Sequence, residues 1–201
     1  MNTDAPRSIF AVVGLAGTGK SSVVGILKEI LDAPVVYFGG VVVAEVRRRG
    51  LEVTEATERT VREGLRAEHG MSAIAQLASE DIDQHFTSYR EIIIDGLYSY
   101  AECELLNERF PGLVSLIAVH ATKAIREERL AQRPVRPLSA AELHSRDMRE
   151  IRTLDKGTAI ALADHHILNN TGITELQDQV KAVVAAVRQS RGERARAADV
   201  R

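Results

Sequence analysis

The chain has 201 residues, which fits one globular domain with a single buried core. Hydrophobic residues make up 45% and charged residues 27%, and the net charge of −2 provides no basic field that would favour nucleic acid as a partner. Aromatic residues account for only 4% and tryptophan is absent, so we expect a core of Val, Ile, Leu and Ala.

The first half of the chain predicts two strands and a series of helices. Residues 9–13 form an apolar run that ends at a glycine, which is typical of a buried parallel strand. A helix with an apolar stripe follows, and residues 35–38 predict a second strand. Residues 54–85 predict two charged, amphipathic helices separated near Gly70, within a helical insertion over residues 40–88.

The second half predicts three more strands, at residues 92–94, 114–119 and 166–168. Strands that alternate with helices indicate a parallel sheet covered on both faces, so the expected fold class is α/β. Two prolines among arginines predict a loop at residues 133–137. We expect one domain over residues 1–190, followed by a polar, disordered tail at residues 191–201.

Residues 14–21 match the phosphate-binding pattern G-x-x-x-x-G-K-[ST] at every specified position. The glycines let the backbone curl so that N–H groups converge on anionic oxygens, and the helix that follows adds the positive end of its dipole. Lys20 is expected to reach the β- and γ-phosphates of ATP or GTP, and the Ser21 hydroxyl to bind Mg²⁺. The predicted nucleotide-binding residues are Gly14, Leu15, Ala16, Gly17, Thr18, Gly19, Lys20, Ser21 and Ser22.

The structural alternative for this motif is a glycine-rich turn that binds nothing. An apolar strand before the motif and an apolar-periodic helix after it favour the phosphate-binding interpretation. The sequence contains no N-K-x-D tetrapeptide, by which a GTPase reads guanine. Arginines later in the chain point instead to phosphoryl transfer to a small molecule.

Asp95 ends the third predicted strand, where a carboxylate would face bound Mg²⁺. It is predicted to hold the metal through water or to orient an acceptor, and a turn or helix-capping aspartate is the alternative. Arg133, Arg136 and Arg146 are predicted to neutralise the transferring phosphate, because planar guanidinium groups match its oxygens. The segment 133–146 would form a lid that excludes water.

Other arginines nearby are interpreted differently. Arg126, Arg129 and Arg149 are expected to be helix-surface residues that pair with neighbouring glutamates in water. Their charge alone therefore does not place them in the phosphate-binding site.

Three absences favour a cytoplasmic protein that binds no membrane. The single cysteine, Cys103, cannot form an internal disulfide. No apolar stretch reaches the ~20 residues that span a bilayer. The first residues lack the charged-then-apolar order of a secretory signal. The sequence is compatible with a monomer or with a homo-oligomer.

These landmarks resemble the nucleoside monophosphate kinase superfamily of P-loop kinases, and most closely its adenylate-kinase-related, dephospho-CoA-kinase-like members. The resemblance runs from Phe10 to about Val187. Beyond the P-loop, it is carried by the segments 47–51, 68–75, 94–96, 129–133, 146–147 and 161–169. It implies a sheet of order 2-3-1-4-5, inserted helices that bind the acceptor, and an arginine lid. It also implies ATP-dependent transfer of the γ-phosphoryl group to a nucleotide or nucleotide-like acceptor.

The sequence departs from that pattern where the acceptor is chosen. Relatives carry an aspartate after the second strand and an arginine three residues later, but here these positions are Gly40 and Val43. Relatives also carry an arginine soon after the aspartate of the third strand, where this chain has Tyr98. Each lost charged hydrogen bond would weaken acceptor binding by ~1.5–3 kcal/mol. The alternative function is therefore a nucleotide-binding regulatory protein, or a slow NTPase without an acceptor. An RNA-associated NTPase is disfavoured by the net charge.

Overall fold

The computed structural model describes residues 7–199. Its strands are β1 (Ser8–Val13), β2 (Val35–Tyr37), β3 (Glu91–Asp95), β4 (Val114–His120) and β5 (His165–Leu168). Its helices are α1 (Lys20–Leu31), α2 (Phe38–Arg48), α3 (Glu55–His69), α4 (Ala73–His85), α5 (Tyr100–Arg109), α6 (Lys123–Ala131), α7 (Ala140–Arg152), α8 (Lys156–Ala161) and α9 (Ile173–Asp199). Among the residues described, no helix combines the length and the apolar character that crossing a bilayer requires.

The strands form one parallel sheet in the order β2-β3-β1-β4-β5. β1 lies at its centre, where Phe10 is opposite Ile93 of β3 and Ser115 of β4. All residues of β1 are buried, because a central parallel strand is covered on both faces. The predicted α/β class and the strand order implied by the resemblance are confirmed. The carboxyl ends of the strands meet at one edge of the sheet, which is where ligands bind in such folds.

Alternation along β1 builds a core on each face of the sheet. Ile9, Ala11 and Val13 pack with side chains of α2, α3, α4 and α5. Phe10 and Val12 pack with side chains of α1 and α9. The loop that follows β1 therefore starts from a strand held by packing on both sides.

The insertion after β2 consists of α2, α3 and α4. α3 begins at a capping box in which the Thr54 hydroxyl accepts from the Thr57 N–H and the Thr57 hydroxyl accepts from the Thr54 N–H. Val61 and Leu65 are the buried residues of α3, so most of its charged side chains are available to solvent or to a ligand. Gly70 follows α3 with φ 85°, and the predicted division of the two helices near this glycine is confirmed.

The tail that was expected to be disordered from residue 191 is helical in the structure. α9 continues through Asp199, whereas residues 200–201 lie outside the described part of the chain. The side chain of Arg191 is buried and donates to the carbonyl oxygen of Val114 (3.0 Å) and to the hydroxyl of Ser115 (3.1 Å). This polar attachment to β4 explains why the helix extends beyond its apolar stripe.

Candidate functional site

The loop between β1 and α1 has a curled backbone that favours glycine at three positions, one of them Gly17 with φ 80°. Gly14 has φ 153° and Gly19 has φ 93°. A Cβ on Gly14 would lie 2.5 Å from the carbonyl oxygen of Val119, and a Cβ on Gly19 would overlap the side-chain amide of Asn169. These glycines are therefore fixed both by conformation and by the close approach of β4 and of the loop after β5.

Helix α1 begins at Lys20 with Gly19 as its N-cap, and no side chain caps it. Its first turn contains no acidic residue, so no side chain of that turn neutralises the positive end of the helix dipole. The Lys20 ammonium donates to the carbonyl oxygens of Gly14 (2.8 Å) and Leu15 (3.0 Å). A curled loop, an uncapped helix start and a lysine are together the features by which P-loops bind anions.

Arg126 of α6 supports this loop from outside. Its Nε donates to the carbonyl oxygen of Ala16 (2.6 Å), and its Nη2 donates to both carboxylate oxygens of Asp147 on α7 (2.6 and 2.8 Å). The residue is only 6% exposed. The interpretation of Arg126 as a surface arginine is therefore wrong, because α6 packs directly against the loop at Gly17.

A second support comes from the loop after β5. The Asn169 side-chain amide donates to the carbonyl oxygen of Thr18 (2.9 Å), and its backbone N–H donates to that of His120 (2.8 Å). Arg129 Nη2 lies 3.4 Å from Asn169 Oδ1, whereas its Nη1 is buried without a hydrogen-bond partner among the described residues. Arg129 and Ser22 line a cavity of about 240 Å³ here. Arg129 was interpreted as a surface residue, but it lies beside the predicted nucleotide site.

A cavity of about 970 Å³ lies at the carboxyl edge of the sheet. It brings together predicted site residues from the P-loop, the end of β3, the lid and α7. Those that line it are Ala16, Gly17, Gly19, Lys20, Ser21, Asp95, Arg133, Arg136 and Arg146. Gly14, Leu15 and Thr18 belong to the inner part of the loop and do not line it, and Ser22 lines the smaller cavity.

The predicted lid comprises a loop over residues 132–139 and the start of α7. Arg133 and Arg136 are exposed in this loop, and Arg136 Nε lies 3.6 Å from a carboxylate oxygen of Glu55 on α3. The Leu138 N–H donates to the last turn of α6 (3.1 Å), and its side chain packs in a small cluster with the P-loop and α7. The base of the loop is thus fixed, while its arginines line the cavity.

Helix α3 contributes charged side chains to the wall of the same cavity. Arg62 and Arg66 line it together with Tyr98, which follows β3. Gly40 and Val43, the positions at which the resemblance led us to expect charge, do not line it. The cavity wall is therefore cationic without charges at these two positions.

Comparison with known proteins assigns the chain to a family. Residues 13–145 match the family model AAA_17, an AAA domain. A UPF0200 protein of Thermococcus onnurineus is 33% identical over 182 residues, which cover 89% of this chain and 97% of that protein. A UPF0200 protein of Aeropyrum pernix is 38% identical over 176 residues, which cover 87% and 91%. The chain belongs to the UPF0200 family.

Solved structures that resemble this UPF0200-family chain include several kinases. A gluconokinase from Sinorhizobium meliloti aligns with a TM-score of 0.58 and 16% identity, over 92% of this chain and 95% of that one. A shikimate kinase from Bacteroides thetaiotaomicron aligns with a TM-score of 0.55 and 14% identity, over 90% and 98%. At these identities the likeness shows the fold, and the predicted resemblance to P-loop kinases is confirmed at that level.

The charged groups in the cavity of this UPF0200-family protein shift each other's pKa values. Burial, reinforced by the nearby Lys156 ammonium, lowers the pKa of Lys20 to about 8. Burial raises the pKa of Asp95, and the positive charge of Lys20 opposes that shift. Such perturbed pairs of opposite charge are concentrated at functional sites.

Lys156 is a cavity residue that the sequence analysis did not find. It is 2% exposed, its ammonium donates to Glu150 (2.7 Å), and the same nitrogen lies 4.7 Å from the centroid of the Tyr98 ring. The other oxygen of Glu150 accepts from Arg146 Nε (2.9 Å). The four-residue spacing of Arg146 and Glu150 is a sequence pattern that predicts their ion pair. No sequence pattern predicts the position of Lys156, because its contacts depend on how the chain turns between α7 and α8.

Proposed function

We propose that this protein is a phosphotransferase that moves the γ-phosphoryl group of ATP or GTP to a small-molecule acceptor. The observation that carries the proposal is the 970 Å³ cavity, in which the P-loop lysine, a buried-strand aspartate and three lid or α7 arginines share one space. A cavity of this volume is at the upper end of small-molecule sites, so it has room for a triphosphate and an acceptor together.

Lys20 and the loop would bind the β- and γ-phosphates. In the structure, the Lys20 ammonium rests on two carbonyl oxygens of the loop. Phosphate oxygens carry more negative charge than these carbonyls, so a bound triphosphate would take over the ammonium. The N–H groups of the loop and of the first turn of α1 would then surround the same phosphates.

Ser21 and Asp95 would hold Mg²⁺. The Ser21 side chain is on the exposed first turn of α1, and the Asp95 carboxylate lines the same cavity. Hydroxyl and carboxylate oxygens are the donors that this hard cation prefers, so the residues present fit the ion. When bound, Mg²⁺ supplies positive charge that offsets the β- and γ-phosphate oxygens.

The transfer itself would be an in-line displacement at the γ-phosphorus. A bond forms from an acceptor oxygen to phosphorus, the bond to the β,γ-bridging oxygen breaks, and the nucleoside diphosphate leaves with the electron pair. A proton on an acceptor hydroxyl would pass to solvent water, while Asp95 holds the metal through water or orients the acceptor. Arg133, Arg136 and Arg146 would neutralise the charge on the equatorial oxygens.

The acceptor is proposed to be a nucleotide or a nucleotide-like molecule of the nucleoside monophosphate or dephospho-CoA type. The resemblance to that group of kinases and the helical insertion beside the cavity support this choice. The folds of a gluconokinase and a shikimate kinase are also similar, so polyhydroxy carboxylates such as gluconate and shikimate belong in the same screen.

The test is ADP or GDP release by the purified protein with Mg²⁺, measured with and without each acceptor. The panel contains AMP, CMP, dephospho-CoA, gluconate and shikimate, with the corresponding nucleosides. Release that depends on one acceptor is the expected result. Slow release that no acceptor stimulates would support the regulatory protein or slow NTPase instead.

A further inference from the structure

Arg66 of α3 is a buried cation with an unused hydrogen-bond donor. Its side chain is 9% exposed, and its Nε is buried without a partner among the described residues. Its Nη2 lies 3.4 Å from Glu102 Oε1, which is long for a charged pair. Since an unsatisfied buried donor of a charged group is unfavourable, an unused donor on a residue that lines the cavity points to a ligand.

Glu102 positions Arg66 without using that donor. Glu102 is fully buried, and its Oε2 accepts from the backbone N–H groups of Tyr98 (2.6 Å) and Ser99 (3.1 Å). Burial raises the pKa of Glu102 and lowers the pKa of Arg66, so the two charges compensate each other only in part. The arginine is therefore held in place with charge left for another anion.

Arg62 stands one helical turn before Arg66 and lines the same cavity. Among residues 7–199 it makes no hydrogen bond or ion pair, and Glu58 one turn earlier is not paired with it. Glu63 is already engaged by Arg59 (2.9 Å). Two like charges four residues apart on a helix repel each other, and an anion between them would remove that repulsion.

We infer that Arg66 and Arg62 bind an anionic group of the phosphoryl acceptor, a phosphate or a carboxylate, and that neutral acceptors are rejected. The inference rests on the proposed function. A guanidinium group presents Nε–H and Nη–H side by side, which matches two oxygens of either anion. The charges that are missing at Gly40 and Val43 are thereby supplied from α3.

The direct test follows the Arg66 Nε–H signal by NMR while inorganic phosphate or, separately, acetate is added. The protein is first saturated with Mg²⁺ and a non-hydrolysable ATP analogue, so that the P-loop is filled, and the signal is assigned with the Arg66→Lys variant. We expect one anion to shift the signal saturably, and the stronger response identifies phosphate or carboxylate. If neither anion moves it, the inference is wrong.

The nucleotide site and the anion site are tested separately in this experiment. Absence of analogue binding counts against the proposed function, whereas the Arg66 signal reports on its own site whether or not the P-loop is filled. Analogue binding with an unresponsive Arg66 signal leaves the proposed function standing and overturns only the anion site.

Variants provide the second measurement. Arg66→Lys keeps a positive charge opposite the buried Glu102 but lacks the adjacent Nε–H and Nη–H donors of a guanidinium group. Arg62→Gln removes a charge. Each should weaken anion binding about 10- to 100-fold, the effect of losing a charged hydrogen bond. Arg109→Gln is the control and should bind within about twofold of wild type, because Arg109 is an exposed ion-paired residue that does not line the cavity. Unchanged binding in the Arg66→Lys and Arg62→Gln variants would contradict the inference.

Matched acceptor pairs complete the test by turnover. Each nucleoside is compared with its monophosphate, and each neutral sugar with its phosphate or its acid, in the ADP-release assay. Only the anionic member of a pair should stimulate release, and Arg66→Lys should raise the concentration of that member needed for stimulation about 10- to 100-fold. Turnover of a neutral acceptor that Arg66→Lys leaves unchanged would overturn the inference while supporting the phosphotransferase.

Discussion

The Nε of Arg126 donates to the carbonyl oxygen of Ala16 at 2.6 Å, across 110 residues of sequence. The same guanidinium holds Asp147, so one side chain joins the P-loop, α6 and α7. Because α6 precedes the lid loop and α7 follows it, this contact ties both ends of the loop over residues 132–139 to the phosphate-binding backbone. The shape of the P-loop and the position of the lid are therefore linked through Arg126.

Replacing Arg126 with Gln should destabilise the protein and weaken nucleotide binding. Asp147 would lose a bidentate partner while its side chain is only 14% exposed, so we expect a loss of about 3–5 kcal/mol in the free energy of unfolding. Urea denaturation measures this loss. Arg109→Gln, which breaks an exposed ion pair with Asp83, is the control and should cost about 1 kcal/mol or less. Equal effects of the two substitutions would contradict a special role for Arg126.

The buried position of Arg126 could not be predicted from the sequence, whereas the P-loop could. The P-loop could be predicted because its glycines, lysine and serine are neighbours in sequence and the backbone physics is local. Arg126 could not, because its partners are Ala16 and Asp147, which only the packing of α6 brings together. A surface arginine and a buried one look the same in a helix pattern.

The strand order and the tail also separate what local sequence predicts from what depends on contacts distant in sequence. Apolar runs predicted where the strands lie, and the resemblance supplied their order, which depends on contacts far apart in sequence. The tail was expected to be disordered because it carries few apolar residues, but the side chain of Arg191 is attached to β4 by hydrogen bonds. Apolar content predicts which segments are buried by the hydrophobic effect. It does not predict that an arginine is buried through hydrogen bonds.

Lys20→Met should abolish nucleotide-dependent turnover and leave the fold intact. The ammonium is expected to contact the phosphates most strongly in the transition state, so its loss should lower the rate about 100-fold or more. Within the described part of the chain it donates to two loop carbonyls, and it is close enough to Lys156 to be repelled. Activity and thermal unfolding are measured together, with the exposed Lys28→Met as control. An unchanged rate would remove Lys20 from the mechanism.

Nucleotide affinity should fall as the pH rises above about 8. The pKa of Lys20 is lowered to about 8, so the free protein carries the ammonium below that pH and the neutral amine above it. Bound phosphates favour the charged form and raise the pKa, so binding takes up a proton at higher pH. The dissociation constant of a non-hydrolysable analogue should then rise up to about tenfold per pH unit above 8. A dissociation constant that does not change with pH, or that changes with pH equally in the Lys20→Met variant, would contradict this role of the Lys20 pKa.

Substitutions at Lys156 and Glu150 should move that pH dependence in opposite directions. The Lys156 charge lowers the pKa of Lys20 and the Glu150 charge raises it. Lys156→Met should therefore shift the fall in affinity to higher pH, and Glu150→Gln should shift it to lower pH. Both variants break a buried pair. Glu150→Gln should lose about 3 kcal/mol of unfolding free energy, and Lys156→Met should lose less, because Glu150 keeps Arg146 as a partner.

The opposite signs separate an electrostatic effect from a structural one. If the cluster of Lys156, Glu150 and Arg146 only stabilises the fold, both substitutions should reduce affinity at every pH by a similar factor and leave the midpoint near 8. If its charges act on Lys20 across the cavity, the two midpoints must lie on either side of the wild-type value. Measuring the dissociation constant over the same pH series for the three proteins decides between these cases, because a loss of stability has no reason to change the sign of a pKa shift.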